Sequence, residues 1–326
     1  MSANWQPVAG FRQLQQRAQL LAVIRRFFER REVLEVETPL LCRATGTDPQ
    51  LDFFSTQFHN HPQAKTLYLQ TSPEFAMKRL LAAGSGSIYQ ICKAFRNGEV
   101  GRFHNPEFTI LEWYQVGFEL QQLMDEVVEL LLTLLSEFMP ALSVMQVSYQ
   151  QIVVELIGLD PLVFDRPTYQ QLSKDLGAPE ADGLCGDDHA MWLDFLFSHH
   201  VQNALPKDAI CLIHSYPAIQ SSLARICSDN KSVSERFEVF LNGLELGNGF
   251  FELNDADEQA SRFEREIVYR QVHGLPPVEK DPLFLHALQA GLPDCSGVAI
   301  GLDRVLMLAS GCESIQQVLA FPVGNA

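Results

Sequence analysis

The sequence lacks long apolar runs, paired cysteines and an excess of basic residues. It contains no stretch of about 18 uncharged apolar residues and no basic segment followed by an apolar one near its start, so we expect neither a membrane span nor export. Its seven cysteines are scattered without a CxxC pair, which argues against a zinc or redox motif and predicts reduced thiols in a cytoplasmic protein. Lys and Arg total 24 against 40 for Asp and Glu, a formal charge of −16, so a broad basic face for nucleic acid is not expected.

The composition is that of a globular protein. Hydrophobic residues make up 47% of the 326 residues and charged residues 20%, which supplies a sizeable core and excludes a fibre or a disordered chain. Length alone allows roughly two domains or one large domain. No internal repeat, low-complexity tract or linker divides the chain, so we predict a single domain over residues 1–326.

Two antiparallel hairpins organise the predicted fold. Residues 88–95 and 108–116 are strand-like and are joined by a polar segment with glycines. Residues 237–241 and 244–246 flank Asn242-Gly243, a dipeptide that tolerates the positive φ angles of a type I′ turn. Further predicted elements are helices at 11–31, 120–138 and 255–271, a strand at 33–37 ended by Pro39, and a helical insertion at 168–205. The pattern predicts an α+β domain around an antiparallel sheet.

Arginines in the first hairpin indicate a possible polyphosphate site. Arg96 lies at the end of one strand, and Arg102 lies in the connecting loop near His104. Guanidinium groups pair bidentately with phosphate oxygens and stay charged. The alternative is a solvated turn.

Acidic residues form two further candidate groups. Glu245 and Glu252 could hold a magnesium ion, but their odd spacing places them on opposite faces of a regular strand unless Gly247 or Gly249 hosts a bulge. Glu74, Glu112 and Glu252 could converge on a cationic ligand, with Tyr114 supplying a hydroxyl or a ring face. Each of these acids alone could equally be an ordinary surface charge.

Four separated signatures change this balance. They are Val33-Leu34-Glu35-Val36-Glu37-Thr38-Pro39; Phe95-Arg96-Asn97 with His104-Asn105-Pro106-Glu107-Phe108-Thr109; Gly247-Asn248-Gly249-Phe250 with Glu252-Leu253-Asn254-Asp255-Ala256; and Gly301 to Arg304. In this order they resemble the catalytic domain of class II lysyl-tRNA synthetases, and most closely a truncated paralogue branch of that family. The resemblance implies the class II aminoacyl-tRNA synthetase catalytic fold, an antiparallel β-sheet flanked by helices.

The resemblance also implies an ATP and magnesium site. Arg96 would grip the α-phosphate and Arg304 the γ-phosphate, and both would be catalytic. The remaining nucleotide residues would be Asn97, Gly98, Asn105, Glu245, Leu246 and Gly301. The magnesium ligands would be Glu245 and Glu252.

A lysine-like substrate is implied in the same way. Its binding residues would be Ser72, Pro73, Glu74, Glu112, Tyr114, Asn248 and Glu252. Lysyl-tRNA synthetases usually have alanine where Ser72 stands, which implies a shifted amine as in (R)-β-lysine. The activated product would be an acyl-adenylate.

The expected acceptor of the activated amino acid depends on whether the chain contains an anticodon-binding domain. The catalytic resemblance begins within the first few dozen residues, so no anticodon-binding β-barrel is expected. The resemblance then implies transfer to a lysine side chain of elongation factor P, with tRNA an improbable acceptor, by a homodimer formed through Pro39 and its preceding helix. Alternatives are a minimal lysyl-tRNA synthetase, a catalytically silent regulator and a small-molecule amide ligase.

One departure from the family pattern leads to a test. The family loop normally reads Phe-Arg-Asn-Glu, whereas this chain has Gly98 before Glu99. If Gly98 lets the strand shift so that Glu99 takes the place of the missing acid, then Glu99→Gln weakens ATP binding. An unchanged ATP affinity, measured by direct titration, would sink that idea.

Overall fold

The computed structural model describes residues 5–59 and 65–326, which contain eleven strands. The strands are β1 (Leu34–Glu35), β2 (Leu41–Cys42), β3 (Ser55–Phe58), β4 (Lys65–Leu69), β5 (Ile88–Phe95), β6 (Glu107–Val116), β7 (Ser143–Ser148), β8 (Ala209–His214), β9 (Arg236–Leu241), β10 (Leu244–Phe251) and β11 (Cys295–Gly301). Eight of them form one sheet in the order β1-β5-β6-β11-β10-β9-β8-β7, and β2-β4-β3 form a small second sheet.

Helices cover both faces of the large sheet. They are α1 (Phe11–Glu29), α2 (Glu74–Ala82), α3 (Leu120–Leu135), α4 (Tyr149–Ile157), α5 (Arg166–Asp175), α6 (Ala181–Cys185), α7 (His189–Leu196), α8 (Gln202–Ala204), α9 (Ala256–Val272), α10 (Pro282–Gly291) and α11 (Leu302–Ala309). Among the described helices, none has the length and apolar character needed to cross a membrane. All seven cysteines are free thiols, in keeping with the expectation of reduced cysteines.

The centre of the large sheet is antiparallel, which confirms the predicted fold class. Only the outer pairs, β1 with β5 and β7 with β8, are parallel. The first predicted hairpin is confirmed, since β5 pairs with β6 along its whole length. The second is confirmed as well: Asn242 and Gly243 have φ angles of 56° and 75°, the left-handed values that a type I′ turn requires.

Some predicted bounds were wrong. The strand expected at 33–37 is regular only at Leu34–Glu35, because this edge segment meets β5 over two residues before Pro39. The helix expected at 120–138 ends at Leu135. The segment expected as a helical insertion, 168–205, is largely helical, and its apolar side chains pack with those of α4 in one cluster around Tyr149, Tyr169 and Trp192.

The two faces of the sheet have different neighbours. One face packs against α1, α3 and α11 in the main core, to which β6 contributes Leu111 and Trp113. The opposite face is covered by the insertion over β8 and β9, and by α2, α9 and α10 beside β5 and the end of β6. The strands β6, β11 and β10 lie between these two covers.

Candidate active site

A cavity of about 1170 Å³ lies over β6, β11 and β10. Its floor is low along β11 because the side of that strand facing the cavity has only small residues, Gly297, Ala299 and Gly301. Their cross-strand partners on β6 are Tyr114, Glu112 and Ile110. Directly opposed residues point to the same face, so larger side chains rise on either side of a trough.

Arg304 stands at one end of the trough, in the first turn of α11. Its Nη1 donates to the carbonyl oxygen of Glu245 at 2.7 Å, and its Nη2 donates to Nε2 of His104 at 2.7 Å. Burial, together with the Arg304 charge, lowers the pKa of His104 and keeps that ring neutral as an acceptor. The guanidinium is therefore fixed between β10 and the β5–β6 connection.

Arg96 lies in the same part of the cavity wall. Its guanidinium carbon sits 5.1 Å from the centre of the Phe108 ring, and its Nη1 is 3.7 Å from a Glu99 carboxylate oxygen. The buried Nε has no hydrogen-bond partner among the described residues. Glu99 also lines the cavity, and Gly98 before it has a φ of 79°. Glu99 thus lies in the cavity wall beside Arg96, and its role as a substitute acid stays a prediction.

Other predicted nucleotide residues have different surroundings. The Asn97 side chain donates to Asp52 at 2.8 Å and does not line the cavity. Both polar side-chain atoms of Asn105 bind backbone groups: Nδ2 donates to the Glu107 carbonyl, and Oδ1 accepts from the Val323 N–H. Arg102 donates to the carbonyl of Glu313 and is exposed outside the cavity. Leu246 and Gly301 are cavity-lining, as expected.

The opposite end of the trough is acidic and closed. Glu112 and Tyr114 are both buried on β6, and the Tyr114 hydroxyl donates to Glu112 Oε1 at 2.6 Å. Glu112 Oε2 has no partner among the described residues. Burial raises the pKa of Glu112 to about 8. A cationic ligand group would satisfy this oxygen and favour its ionised form.

Two more carboxylates join this end from other elements. Glu74 begins α2, and Glu252 follows the end of β10. Lys78 Nζ lies 2.5 Å from Glu74 Oε1 and 2.6 Å from Glu252 Oε2. Burial raises the pKa of Glu252 to about 7 although the Lys78 charge opposes that rise.

The remaining predicted substrate residues also line the cavity. Ser72 Oγ accepts from the Glu74 N–H at 3.1 Å and so orients the start of α2, next to buried Pro73. Asn248 Oδ1 accepts from Arg236 Nε at 3.2 Å. All seven residues expected to bind the amino acid therefore face one space.

The bulge that the sequence analysis required is present in β10. The register shifts between Glu245, which pairs with Phe240, and Gly247, which pairs with Val239. As a result Glu245 and Glu252 lie on the same face, but they remain about 20 Å apart along the strand. To share one magnesium ion, both carboxylates would each need an oxygen about 2 Å from that ion. Glu252 is also already paired with Lys78. The geometry favours Glu245 and disfavours Glu252 as a metal ligand.

Three residues in or beside the cavity, Glu238, Lys78 and Gly297, were not predicted. Glu238 lies on the same face of the sheet as Glu245. Burial is the main cause that raises the pKa of Glu238 to about 7, and the charge of Glu245 adds to the rise. Nothing in a single sequence indicates that Lys78 is a buried charge at this site or that Gly297 must be small. Only the i,i+4 spacing of Glu74 and Lys78 could have indicated a pair.

The fold and the cavity together define the catalytic unit of a class II aminoacyl-tRNA synthetase. The chain belongs to the family described as tRNA synthetases class II (D, K and N), whose sequence profile matches residues 10–325.

Full-length relatives refine this placement. The chain is 46% identical over 324 residues to a protein of Vibrio parahaemolyticus, covering 99% of each chain. It is 48% identical over 327 residues to one of Klebsiella pneumoniae and 47% identical over 327 residues to one of Salmonella typhi, each time covering 100% of this chain and 99% of the relative. All three relatives are named "Elongation factor P--(R)-beta-lysine ligase".

Gly297 provides a test of the acidic end. A Cβ atom there would lie 2.3 Å from the Tyr114 ring and 2.5 Å from Glu252 Oε1. Overpacking of this kind costs about 1–3 kcal/mol. We therefore expect Gly297→Ala to raise the KM for the amino acid by about tenfold or more, with ATP affinity little changed, as measured by amino-acid-dependent pyrophosphate exchange and ATP titration.

A matched control is Gly183→Ala in α6, where a new Cβ would meet no atom within 4 Å. It should leave both constants at the wild-type values. An unaltered amino-acid KM in Gly297→Ala would refute the assignment of the Tyr114 and Glu252 end to the amino acid.

Proposed function

We propose that this chain is an ATP-dependent ligase that activates (R)-β-lysine, or lysine, as an acyl-adenylate and transfers it to a lysine side chain of elongation factor P. The observation on which this mainly rests is that two charged groups of one cavity each have a buried atom without a hydrogen-bond partner among the described residues: a guanidinium N–H of Arg96 and a carboxylate oxygen of Glu112. The Arg96 end of the cavity would bind an anionic group, and the Glu112 end would bind a cationic group.

The acidic end selects the substrate by charge. Glu74, Glu112 and Glu252 surround a closed space whose bound ammonium groups would replace water as their partners. An apolar amino acid would leave the buried Oε2 of Glu112 without a partner, which is costly. Ser72 beside Glu74 is the residue through which we propose that the amine position is read.

Activation requires attack of the amino-acid carboxylate on the α-phosphorus of ATP, with departure of pyrophosphate. Arg96 would contact the α-phosphate and Arg304 the γ-phosphate, while Asn248 would orient the attacking carboxylate. These preorganised charges stabilise the transition state without a nucleophilic Ser or Cys. His104 and the Glu245 carbonyl hold Arg304 in place before the nucleotide binds.

A magnesium ion fits the nucleotide end. The Glu245 side chain is 42% exposed in the cavity, and oxygen ligands of this kind suit Mg²⁺. We propose Glu245 as a ligand. When bound, the ion would neutralise phosphate charge. Glu238 does not line the cavity, and its two carboxylate oxygens are engaged by Arg236 Nη2 at 2.5 Å and by the Tyr216 hydroxyl at 2.7 Å, so we assign it no metal.

Transfer completes the reaction. The acceptor amine attacks the acyl carbon of the adenylate, an amide forms and AMP leaves. The names of the full-length relatives support a lysine of elongation factor P as the acceptor. We place this reaction in the cytoplasm.

We further propose a homodimer at the edge formed by α1, β1 and the segment around Pro39. Large apolar side chains are exposed near Pro39, namely Leu34 on β1 and Leu40 and Leu41 just after the proline. Exposed apolar residues grouped on one edge favour an interface between copies.

Replacing Arg304 tests the activation step. Loss of a principal charge-stabilising contact costs about 3 kcal/mol, roughly a hundredfold in rate. We expect Arg304→Ala to lower lysine-dependent pyrophosphate exchange by that factor or more. Arg102→Ala is the matched control, because Arg102 belongs to the same region but lies outside the cavity walls. Near-normal exchange by Arg304→Ala would contradict the assigned role.

The acceptor requires its own experiment. The enzyme is incubated with ATP and β-lysine, and in parallel with ATP and lysine, in the presence of elongation factor P or of lysine tRNA, and the added mass is located. We expect mass on the protein, at a lysine. Mass on tRNA alone would establish the minimal synthetase instead, and no pyrophosphate release under any condition would establish the silent regulator.

A further inference from the structure

One ionised side chain beside the amino-acid end has no role in the steps above. Lys78 is 1% exposed and lies behind Glu74 and Glu252, outside the residues that line the cavity. The ring of Phe284 on α10 closes the apolar side, with its centre 5.8 Å from Nζ. The ammonium therefore contacts the two carboxylates and is shielded from solvent.

A buried lysine is expensive to maintain. The effective cost of removing one ion from water is several kcal/mol, and an apolar side chain of similar volume often fills such a place with no loss of stability. Burial alone would lower the pKa of Lys78, but the charges of Glu252 and Glu74 outweigh burial and raise it. The side chain thus stays charged, and its charge acts on the acids around it.

Those acids need a counter-ion. Burial and neighbouring negative charges raise the pKa of Glu252 to about 7 and that of Glu112 to about 8, and for both groups Lys78 acts in the opposite direction. The other polar or charged groups nearby are Glu74 on α2, Tyr114 on β6, Cys295 on β11 and Arg225 in the loop before β9. Of the two cations, Arg225 hydrogen-bonds the Glu252 carbonyl and its Nη2 pairs with Asp294, which leaves Lys78 as the cation at the Glu252 carboxylate.

We propose that Lys78 is a positioning residue that holds Glu74 and Glu252 in place and favours the ionised form of Glu252 before the substrate arrives. Glu252 then presents a carboxylate, not a carboxylic acid, to an ammonium group of the incoming diamine. This inference rests on the proposed activation of a lysine-like amino acid. A purely structural Lys78 would affect folding but not the dependence of substrate binding on pH.

The test compares the wild type with Lys78→Met, which removes the charge, and Lys78→Arg, which keeps it. The KM for lysine in pyrophosphate exchange is measured from about pH 6 to pH 9, with ATP affinity and melting temperature as controls for folding. The substrate's own titration is common to all variants. In the wild type, KM should fall as pH rises through about 7 to 8, because Glu252 and Glu112 lose their protons there.

For Lys78→Met we expect a midpoint about 1–3 pH units higher, hence a KM raised by about tenfold or more at neutral pH that recovers in alkali. Lys78→Arg should retain the wild-type midpoint. A KM that is unchanged in Lys78→Met, or raised by the same factor at every pH, overturns the inference.

If Lys78→Met does not fold, Glu74→Gln/Lys78→Gln is compared with Glu74→Gln alone. The double variant removes one buried charge of each sign, and the single variant keeps Lys78 beside Glu252. A higher midpoint in the double variant supports the inference, and equal midpoints overturn it. If the wild type shows no lysine-dependent exchange, the proposed function fails; if it exchanges but no midpoint moves, only the role of Lys78 fails.

Discussion

The acidic end of the cavity depends on one buried ionic contact, in which Lys78 holds Glu74 and Glu252 together. Carboxylates from α2 and from the end of β10, with Glu112 from β6 beside them, would otherwise repel one another in a largely buried place where the repulsion is weakly screened. A single internal ammonium compensates part of that repulsion, and the substrate is left to supply the rest. The preference for a cation that we propose for this cavity would therefore follow from its incomplete charge balance.

The shape of the cavity depends on the absence of large side chains from the side of β11 that faces it. Where β6 has Tyr114 and Glu112, β11 has Gly297 and Ala299, and this contrast opens a trough in an otherwise continuous sheet. At Gly297 the tyrosine ring and the Glu252 carboxylate already fill the space of a Cβ atom. The bulge before Gly247 shapes the other end of the cavity, since it turns Glu245 to the face of the sheet on which Glu252 lies. Side chains on rigid strands, with glycines in between, hold both ends in fixed relation.

Sequence patterns predicted the long hairpins, the main helices and the antiparallel sheet because these depend on local periodicity and turn chemistry. The Asn242-Gly243 turn and the β5–β6 pair are examples. Residues expected at the site largely line one cavity, but their contacts could not be derived from order along the chain. Arg102 donates to the Glu313 carbonyl, Asn105 accepts from the Val323 N–H, and Asn97 donates to Asp52, because the loop between β5 and β6 packs on segments that are distant in sequence. The packing of α4 against the helices at 168–205 was not predicted either, because it consists of apolar contacts that spacing along the chain does not reveal.

The amino-acid sequence by itself determined the fold class, the residue types of a proposed anion-binding end and a proposed cation-binding end, and the need for a bulge between Glu245 and Glu252, since each follows from periodicity, charge or strand geometry. Tertiary structure alone decided which acids share an environment. It paired Glu252 with Lys78 and brought Glu238 close to Glu245, because cross-strand register and helix packing set distances that spacing along the chain does not contain.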